Sequence, residues 1–122
     1  MQSQAGESFP RSSRLAKAED FKRVFSSNTR VSDDCFTLLI AKHRSDSPRI
    51  GFAIAKKQIK RAVDRNRIKR LVRESFRLNQ KILPNRDLVV MVRQNILKLT
   101  NQQILHRLDN LWQSVVTTCE NS

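Results

Sequence analysis

Residues 56–77 constrain the fold of this chain more than any other part of its 122-residue sequence. The segment reads KKQIKRAVDRNRIKRLVRESFR, and ten of its 22 residues are Lys or Arg, opposed by two acids. Its apolar residues Ile68, Leu71, Val72 and Phe76 recur at the spacing of one helix face. Such a helix must bury that face against other elements. The pattern therefore predicts a folded domain that presents a basic helix, not a disordered basic tail.

The positive charge is concentrated around this segment. Between residues 47 and 86, 13 Lys and Arg face two acids, a net charge of +11, while the whole chain carries +13. An ordinary solvated helix face mixes signs in i to i+4 pairs, and this one does not. Clustered charge with a pI of about 11.1 is typical of proteins that bind phosphate backbones. The sequence therefore indicates a nucleic-acid-binding surface.

Length and composition exclude several classes of protein. The length is that of a single domain. The sequence has no run of about 18 apolar residues and no apolar segment near its N-terminus, so we expect neither a transmembrane helix nor a signal peptide. Cys35 and Cys119 share no metal-ligand spacing and are interpreted as unbridged thiols, which fits a reducing compartment. We therefore expect a cytoplasmic protein with no membrane partner.

Helical and strand patterns alternate along the chain. A short helix is predicted over residues 18–26, strands over 35–41, 49–57 and 88–92, and a final helix after residues 100–103. In the first strand, Cys35 is expected on the face opposite Phe36. The basic helix is predicted to begin at an N-cap, Asp64, and to end near Gln80. Trp112 lies mid-stripe in the last helix and is predicted to be core. This order of elements is typical of an α+β domain.

One face of the second predicted strand carries unusually small side chains. Gly51, Ala53 and Ala55 precede Lys57 on that face and alternate with bulky apolar residues. A face of such low bulk leaves room for a ligand, or it lets a neighbouring helix pack closely. The sequence leaves both alternatives open.

No constellation of catalytic residues is visible. The 11 acids are scattered, and His43 and His106 are isolated. The two glycines, Gly6 and Gly51, cannot form a Gly-rich phosphate loop. A nuclease that acts alone needs clustered carboxylates for metal, or a positioned His. We therefore expect no catalytic residue and no metal site, so any catalysis must depend on another component.

The run Arg65-Asn66-Arg67-Ile68-Lys69-Arg70-Leu71-Val72-Arg73 resembles the RNR motif of the protein subunit of bacterial ribonuclease P. Similar residues occur in the same order and spacing at 9–15, 19–25, 48–51, 55–57 and 87–92. The resemblance covers about residues 9–118, which we interpret as one ribonuclease P protein domain. Residues 1–8 are interpreted as a disordered N-terminal segment and residues 119–122 as a C-terminal tail. The family implies the order αβββαβα, a small four-stranded sheet packed with helices, and a left-handed βαβ crossover.

The resemblance implies an RNA-binding subunit that assists a catalytic RNA in removing the 5′ leader from precursor tRNA. The chemistry is then carried by the RNA subunit with magnesium, bound mainly by that RNA and not by the protein alone. The implied partners are the catalytic RNA subunit, with one protein per RNA, and the 5′ leader of precursor tRNA. No DNA partner is expected.

The resemblance also assigns residues to two surfaces. The expected RNA-subunit-binding residues are Lys56, Lys57, Lys60, Arg61, Arg65, Asn66, Arg67, Lys69, Arg70 and Arg73. The expected leader-binding cleft consists of Phe21, Phe25, Leu39, Gly51, Ala53, Ala55 and Lys57. Leu39 stands where relatives commonly have an aromatic residue, which leaves apolar contact only. Lys60 and Arg61 replace a Gly-Asn pair of some relatives. Phe21 and Phe25 also suit a plain core role.

Two other functions compete with this interpretation. A structural RNA-binding protein of ribosomal type has similar charge and composition, and only the RNA that copurifies would separate it from a ribonuclease P subunit. A DNA-binding protein would use residues 64–79 as a recognition helix. That arrangement needs a second helix three or four residues away, whereas a strand pattern precedes this helix.

Overall fold

A computed structural model describes residues 13–120 of the chain. The elements are α1 (Ala18–Ser26), β1 (Asn28–Ser32), β2 (Phe36–Ala41), β3 (Arg49–Phe52), α2 (Ala62–Asn79), β4 (Asp87–Val92), a 3₁₀ helix (Gln94–Lys98) and α3 (Asn101–Glu120). The predicted α+β class and the order αβββαβα are confirmed. The predicted disordered segment, residues 1–8, lies outside the described residues. The last helix continues through Glu120, two residues into the segment interpreted as a tail.

The four strands form one mixed sheet in the order β1-β2-β4-β3. β2 is antiparallel to both of its neighbours, whereas β3 and β4 are parallel, with Ile50 opposite Leu88. Two parallel neighbours need a crossover connection, and α2 provides it. The left-handedness of this crossover stays a prediction. On the outer side of β3, the chain at Arg14 forms a parallel bridge to Ile50.

One face of the sheet packs against α2 and α3. Ile68, Val72 and Phe76 of α2 are completely buried there, as the periodicity predicts. Trp112 of α3 is also fully buried, its ring 5.9 Å from that of Phe76 in an edge-on arrangement. Its indole Nε1 donates a hydrogen bond of 2.7 Å to Ser75 Oγ, which satisfies its only polar group. The predicted core role of Trp112 is confirmed.

The opposite face of the sheet is covered in part by α1. Val24 of α1 packs there with Leu15, Leu39, Ala41 and Val89 in a second buried cluster. Phe21, Ala53 and Met91 are half-buried at its border. Helices thus lie on both faces of the sheet, but the nine-residue α1 covers only a part of its own face.

Gly51 lies directly beneath Phe21 of α1 and beside Leu15. A Cβ built there would lie 2.7 Å from Phe21 Cζ and 2.9 Å from Leu15 Cβ, closer than carbon atoms normally approach. Of the two alternatives for the small-residue face, close packing of a helix holds at Gly51. The face is open only farther along the chain, from Ala53 onward.

Several sequence predictions were wrong in detail. β3 ends at Phe52 and not at Lys57, although Ala53 N still donates a hydrogen bond of 2.9 Å to Val90 O. α2 begins at Ala62, so Asp64 lies in the first turn and Arg61 is the N-cap residue. Asp64 in the first turn still interacts favourably with the helix dipole. Each error concerns a boundary, where local signals are weakest.

Two further corrections concern the region before β2. β1 was not recognised from its residues, which read NTRVS and lack an apolar alternation. Cys35 precedes β2 and is buried in the same cluster as Phe36, not on the opposite face. Cys35 and Cys119 are not disulfide-bonded. Within residues 13–120, no helix is long and apolar enough to cross a membrane.

Candidate nucleic-acid interface

The basic residues of α2 surround its buried stripe. Lys69 and Arg73 follow Arg65 at intervals of four residues along one flank, and all three are half-buried. Asn66 and Arg70 lie on the outermost line of the helix and are exposed. The side chains of Asn66, Lys69 and Arg70 have no hydrogen-bond or ion-pair partner among the described residues. These three groups are therefore available to an external ligand.

Arg73 is held against the edge of the sheet. Its guanidinium carbon lies 5.3 Å from the centroid of the Phe52 ring, a cation–π contact. Burial of the guanidinium lowers the pKa of Arg73, and repulsion from Arg14 lowers it further. Two cations thus lie near each other at the outer side of β3. A polyanion placed there would relieve their repulsion.

Arg67 differs from the other basic residues of the RNR-like run. It lies on the flank of α2 that faces α3, where its Nη1 donates a hydrogen bond of 2.7 Å to Asn101 Oδ1. Arg65 and Arg67, two residues apart, therefore lie on different sides of the helix, as a turn of 100° per residue requires. The structure does not bring them together on one surface.

The segment between β3 and α2, residues 53–61, is here called the lysine loop. Lys56, Lys57, Lys60 and Arg61 are all exposed on it. Their side chains have no hydrogen-bond or ion-pair partner within residues 13–120. Arg65 of α2 contacts the end of the loop through hydrogen bonds of 2.8 Å to Ile59 O and 2.9 Å to Lys60 O.

A groove of about 310 Å³ occupies the part of the sheet face that α1 leaves open. It is lined by Arg30, Thr37, Ala53, Ala55, Lys57, Gln58, Met91, Val92 and Arg93. Small and apolar side chains form its floor, and cations from three separate chain segments flank it. This combination suits a single-stranded nucleic acid, which such proteins hold through phosphate contacts and apolar platforms.

The groove contains only some of the residues predicted for a leader cleft. Ala53, Ala55 and Lys57 line it together. Leu39 is only 2% exposed, because it sits in the middle of β2 under α1, and it cannot contact a ligand in this conformation. Gly51 is likewise buried, beneath Phe21.

The two phenylalanines of α1 have different surroundings. Phe21 is half-buried and packs against the second core cluster, next to Ala53. Phe25 is 46% exposed. Phe21 is therefore mainly a core residue, whereas the ring of Phe25 is accessible to solvent.

Sequence analysis missed six groove residues: Arg30, Thr37, Gln58, Met91, Val92 and Arg93. Arg30 belongs to β1, whose residues gave no strand signal. Thr37 and Met91 are directly opposite each other in neighbouring strands and so face the same side. The alternation of β4 places Met91 on the same face of the sheet as Val89 and on the opposite face from Val90. That pattern could have predicted Met91 from the sequence. Nothing local indicated Gln58 or Arg93.

A buried ion pair connects the first residues of β3 and β4. Asp87 is completely buried and accepts hydrogen bonds of 2.7 and 2.8 Å from Arg49, while His43 Nε2 lies 3.0 Å from its Oδ2. Burial works to raise the pKa of Asp87, but the hydrogen bonds from Arg49 and His43 outweigh it and lower that pKa. His43 is therefore a satisfied structural histidine.

The acidic and thiol groups do not form a metal centre within residues 13–120. No three His, Cys, Asp or Glu side chains of this part are grouped so that they could hold an ion. Asp33 and Asp34 both pair with Arg107, and this contact lowers the pKa of Asp34. Asp33 and Asp34 thus tie α3 to the segment before β2.

Comparisons with known proteins agree on one family. Residues 9–116 match the family model described as Ribonuclease P. The ribonuclease P protein component of Nitrosococcus oceani is 46% identical over 114 residues, covering 93% of this chain and 96% of that protein. A Staphylococcus aureus ribonuclease P protein, a mutant with defective mRNA degradation activity, superposes with a TM-score of 0.79. Its sequence is 27% identical, and the match covers 97% of this chain and 94% of that one. The Thermotoga maritima ribonuclease P protein has a TM-score of 0.74 at 29% identity, covering 84% and 96%.

Proposed function

The chain belongs to the ribonuclease P protein family, and on that premise we propose that it binds a catalytic RNA subunit and the 5′ leader of precursor tRNA. The observation that carries the proposal is the continuity of two cationic surfaces. The lysine loop joins the outer face of α2 to the groove, so one stretch of chain serves both. The loop contributes Lys57 to the groove and leads directly into the helix that carries Arg70.

The outer face of α2 is the proposed contact with the RNA subunit. Asn66, Lys69 and Arg70 offer donors that no described protein group uses. Cations held on a rigid helix can neutralise phosphates and release their condensed counterions, which favours binding and makes it salt-dependent. Arg73 and Lys60 extend this proposed surface. We also propose that one protein binds each RNA subunit.

The groove is the proposed leader site. A 5′ leader is single-stranded, and a single strand is bound through its phosphates and through the faces of its bases. Arg30, Lys57 and Arg93 can meet the phosphates, while Ala53, Ala55 and Met91 offer a low apolar floor. Phe25, which is 46% exposed on α1, is proposed as a further aromatic contact for the leader. Contacts of this kind tolerate many leader sequences, as a general tRNA-processing factor requires.

Phosphodiester hydrolysis is assigned to the RNA subunit. Magnesium held by that RNA would stabilise the charge that develops on the attacking and leaving oxygens. This chain's residues then bind and orient: α2 holds the RNA subunit, and the groove holds the leader relative to it. Since the proposed substrate is precursor tRNA, we propose the cytoplasm as the site of action.

The test combines the purified protein with a bacterial ribonuclease P RNA and precursor tRNA at low magnesium, where the RNA alone cleaves slowly. We expect the protein to restore cleavage at the mature 5′ end, and the protein alone to cleave nothing. Lack of any stimulation would contradict the proposal. Copurification with ribosomal particles instead of one discrete RNA would favour a ribosomal-type role.

A further inference from the structure

The side chain of Arg65 turns back onto the chain that precedes its helix. Its Nη1 donates hydrogen bonds to two consecutive carbonyls, 2.8 Å to Ile59 O and 2.9 Å to Lys60 O. Its backbone N–H donates to Arg61 O at 3.1 Å, the first turn of α2. The residue is therefore bonded at both ends to the junction between the lysine loop and the helix.

The lysine loop has few other attachments. Ile59, which is fully buried, and Ile54, which is half-buried, anchor it in the core. On the groove side, Gln58 Oε1 accepts a hydrogen bond of 3.1 Å from Gln94 N. At the helix end, the N-cap Arg61 makes no side-chain cap. Within residues 13–120, Arg65 is thus the α2 side chain that hydrogen-bonds to the loop.

Without this tie the loop would tend to open. Lys56, Lys57, Lys60 and Arg61 carry like charges within six residues, and their mutual repulsion favours an extended, spread segment. Lys57 and Gln58 line the groove, so any movement of the loop displaces a groove wall. The two carbonyls that Arg65 holds lie immediately after these residues in the chain.

We infer that Arg65 is a positioning residue, whose guanidinium holds the lysine loop so that Lys57 and Gln58 face the groove. It thereby couples the helix that binds the RNA subunit to the site that binds the leader. This inference rests on the proposed leader-binding function of the groove. It separates Arg65 from Arg70, whose exposed side chain has no described protein partner and acts as a plain phosphate contact.

The coupling is measurable as leader discrimination, the ratio of the dissociation constants of mature tRNA and precursor tRNA for the assembled holoenzyme. Protein is kept saturating over the RNA subunit, so that weakened assembly does not enter the ratio. Arg65→Ala should lower the ratio roughly 3- to 10-fold, the net value of about one ordinary hydrogen bond. The matched control Arg70→Ala removes the same charge from the same helix. It should weaken assembly and leave the ratio unchanged.

A double-mutant cycle tests the route of the effect. Lys57→Ala should lower leader discrimination by itself, and the Arg65→Ala/Lys57→Ala variant should lose less than the product of the two single losses. Arg65→Lys keeps the charge, but its ammonium ends one bond short of the position of Nη1, which donates both hydrogen bonds, so it should not restore the ratio. Full restoration by Lys, or strict additivity, would overturn the inference while leaving the groove's function intact. If Lys57→Ala leaves the ratio unchanged, the leader site itself is wrong and the inference falls with it.

A second measurement needs no RNA. Amide hydrogen exchange of the isolated protein should show faster exchange at Gln58 and Ile59 in Arg65→Ala, because their hydrogen bonds to Ala55 O open with the loop. Unchanged exchange of the β4 amides verifies that the variant is folded. Exchange in the loop equal to that of the unsubstituted protein would refute the positioning role.

Discussion

Arg49 and Asp87, the first residues of two parallel neighbouring strands, form a bidentate ion pair with N–O distances of 2.7 and 2.8 Å. The pair sets the register of β3 against β4, because Arg49 lies directly opposite Asp87 in the ladder. Asp20 Oδ1 of α1 lies 3.9 Å from the same guanidinium. One arginine therefore connects both strands and the helix above them.

Acid should weaken the fold through Asp87. Its folded pKa is lowered, so its stabilising contribution is complete above the ordinary Asp value near 3.8 and is lost as pH falls through the folded value. Asp87→Asn should cost about 3 kcal/mol at neutral pH, since it removes the buried carboxylate that is the nearer of the two charged partners of Arg49. It should also make the free energy of unfolding fall less steeply as the pH is lowered. Urea unfolding between pH 7 and pH 2 measures both effects, and the exposed Asp109→Asn is the control that should change neither.

Gly51→Ala should destabilise the protein by about 1–3 kcal/mol, as overpacking does. The ring of Phe21 can swing away from an added methyl group, but Leu15 Cβ, 2.9 Å distant, is fixed by its own backbone. Phe21→Ala in the same chain should therefore relieve only part of the loss. Denaturant unfolding gives the values. Ala55→Val, at an exposed position on the same side, should change stability by less than about 0.5 kcal/mol.

Filling the groove should affect the leader and little else. Ala55→Trp places a large ring on the exposed floor without entering the core, so the fold should remain. We expect precursor tRNA to bind the holoenzyme about tenfold more weakly, a loss of one stacked base or phosphate contact. Binding of mature tRNA, which lacks the leader, should stay the same. Equal weakening of both RNAs would mean that the groove faces the tRNA body.

Arg30→Ala and Arg93→Ala should each weaken leader binding through lost phosphate contacts. In a plot of log binding constant against log salt, each should reduce the slope for precursor tRNA by roughly 0.7, the value for one phosphate of a single strand. The slope for mature tRNA should not change. Arg44→Ala removes an exposed arginine outside the groove and should alter neither slope. A change for both RNAs in the Arg30 variant would place β1 against another part of the substrate.

Arg70→Ala should lower the salt slope of binding to the RNA subunit by roughly 0.7 to 0.9. The helix should persist, because the side chain is exposed and makes no described intramolecular contact. Filter binding across a salt series, with circular dichroism as the folding check, provides the test. Arg44→Ala again serves for comparison. An unchanged slope would argue that the outer face of α2 does not meet RNA.

The periodic part of the fold was readable from the sequence. The burial of Ile68, Val72 and Phe76 follows from helical geometry alone, and so does the exposure of Arg70. Trp112 was placed in the core on the same grounds. These features depend on residues within a few turns of each other, which local patterns describe well.

The remaining features depend on contacts between distant segments. The alternation along β2 correctly predicts which face of the sheet Leu39 is on. Whether a ligand can reach that face at Leu39 depends on the position of α1, which covers it. Arg65 and Arg67 look alike in the sequence, yet one bonds to the loop before the helix and the other to Asn101 of α3. β1 is recognisable only through its pairing with β2. No local signal carries such information.

The bridge between Arg14 and Ile50 has a practical consequence for shortened versions of the chain. Leu15 N donates a hydrogen bond of 2.9 Å to Ile50 O. Arg14 and Leu15 therefore shield part of the outer edge of β3. An unshielded strand edge is a template for intermolecular pairing and aggregation. Truncation from the N-terminus must therefore stop before Arg14, and a solubility screen of successive deletions should show a sharp drop once Leu15 is removed.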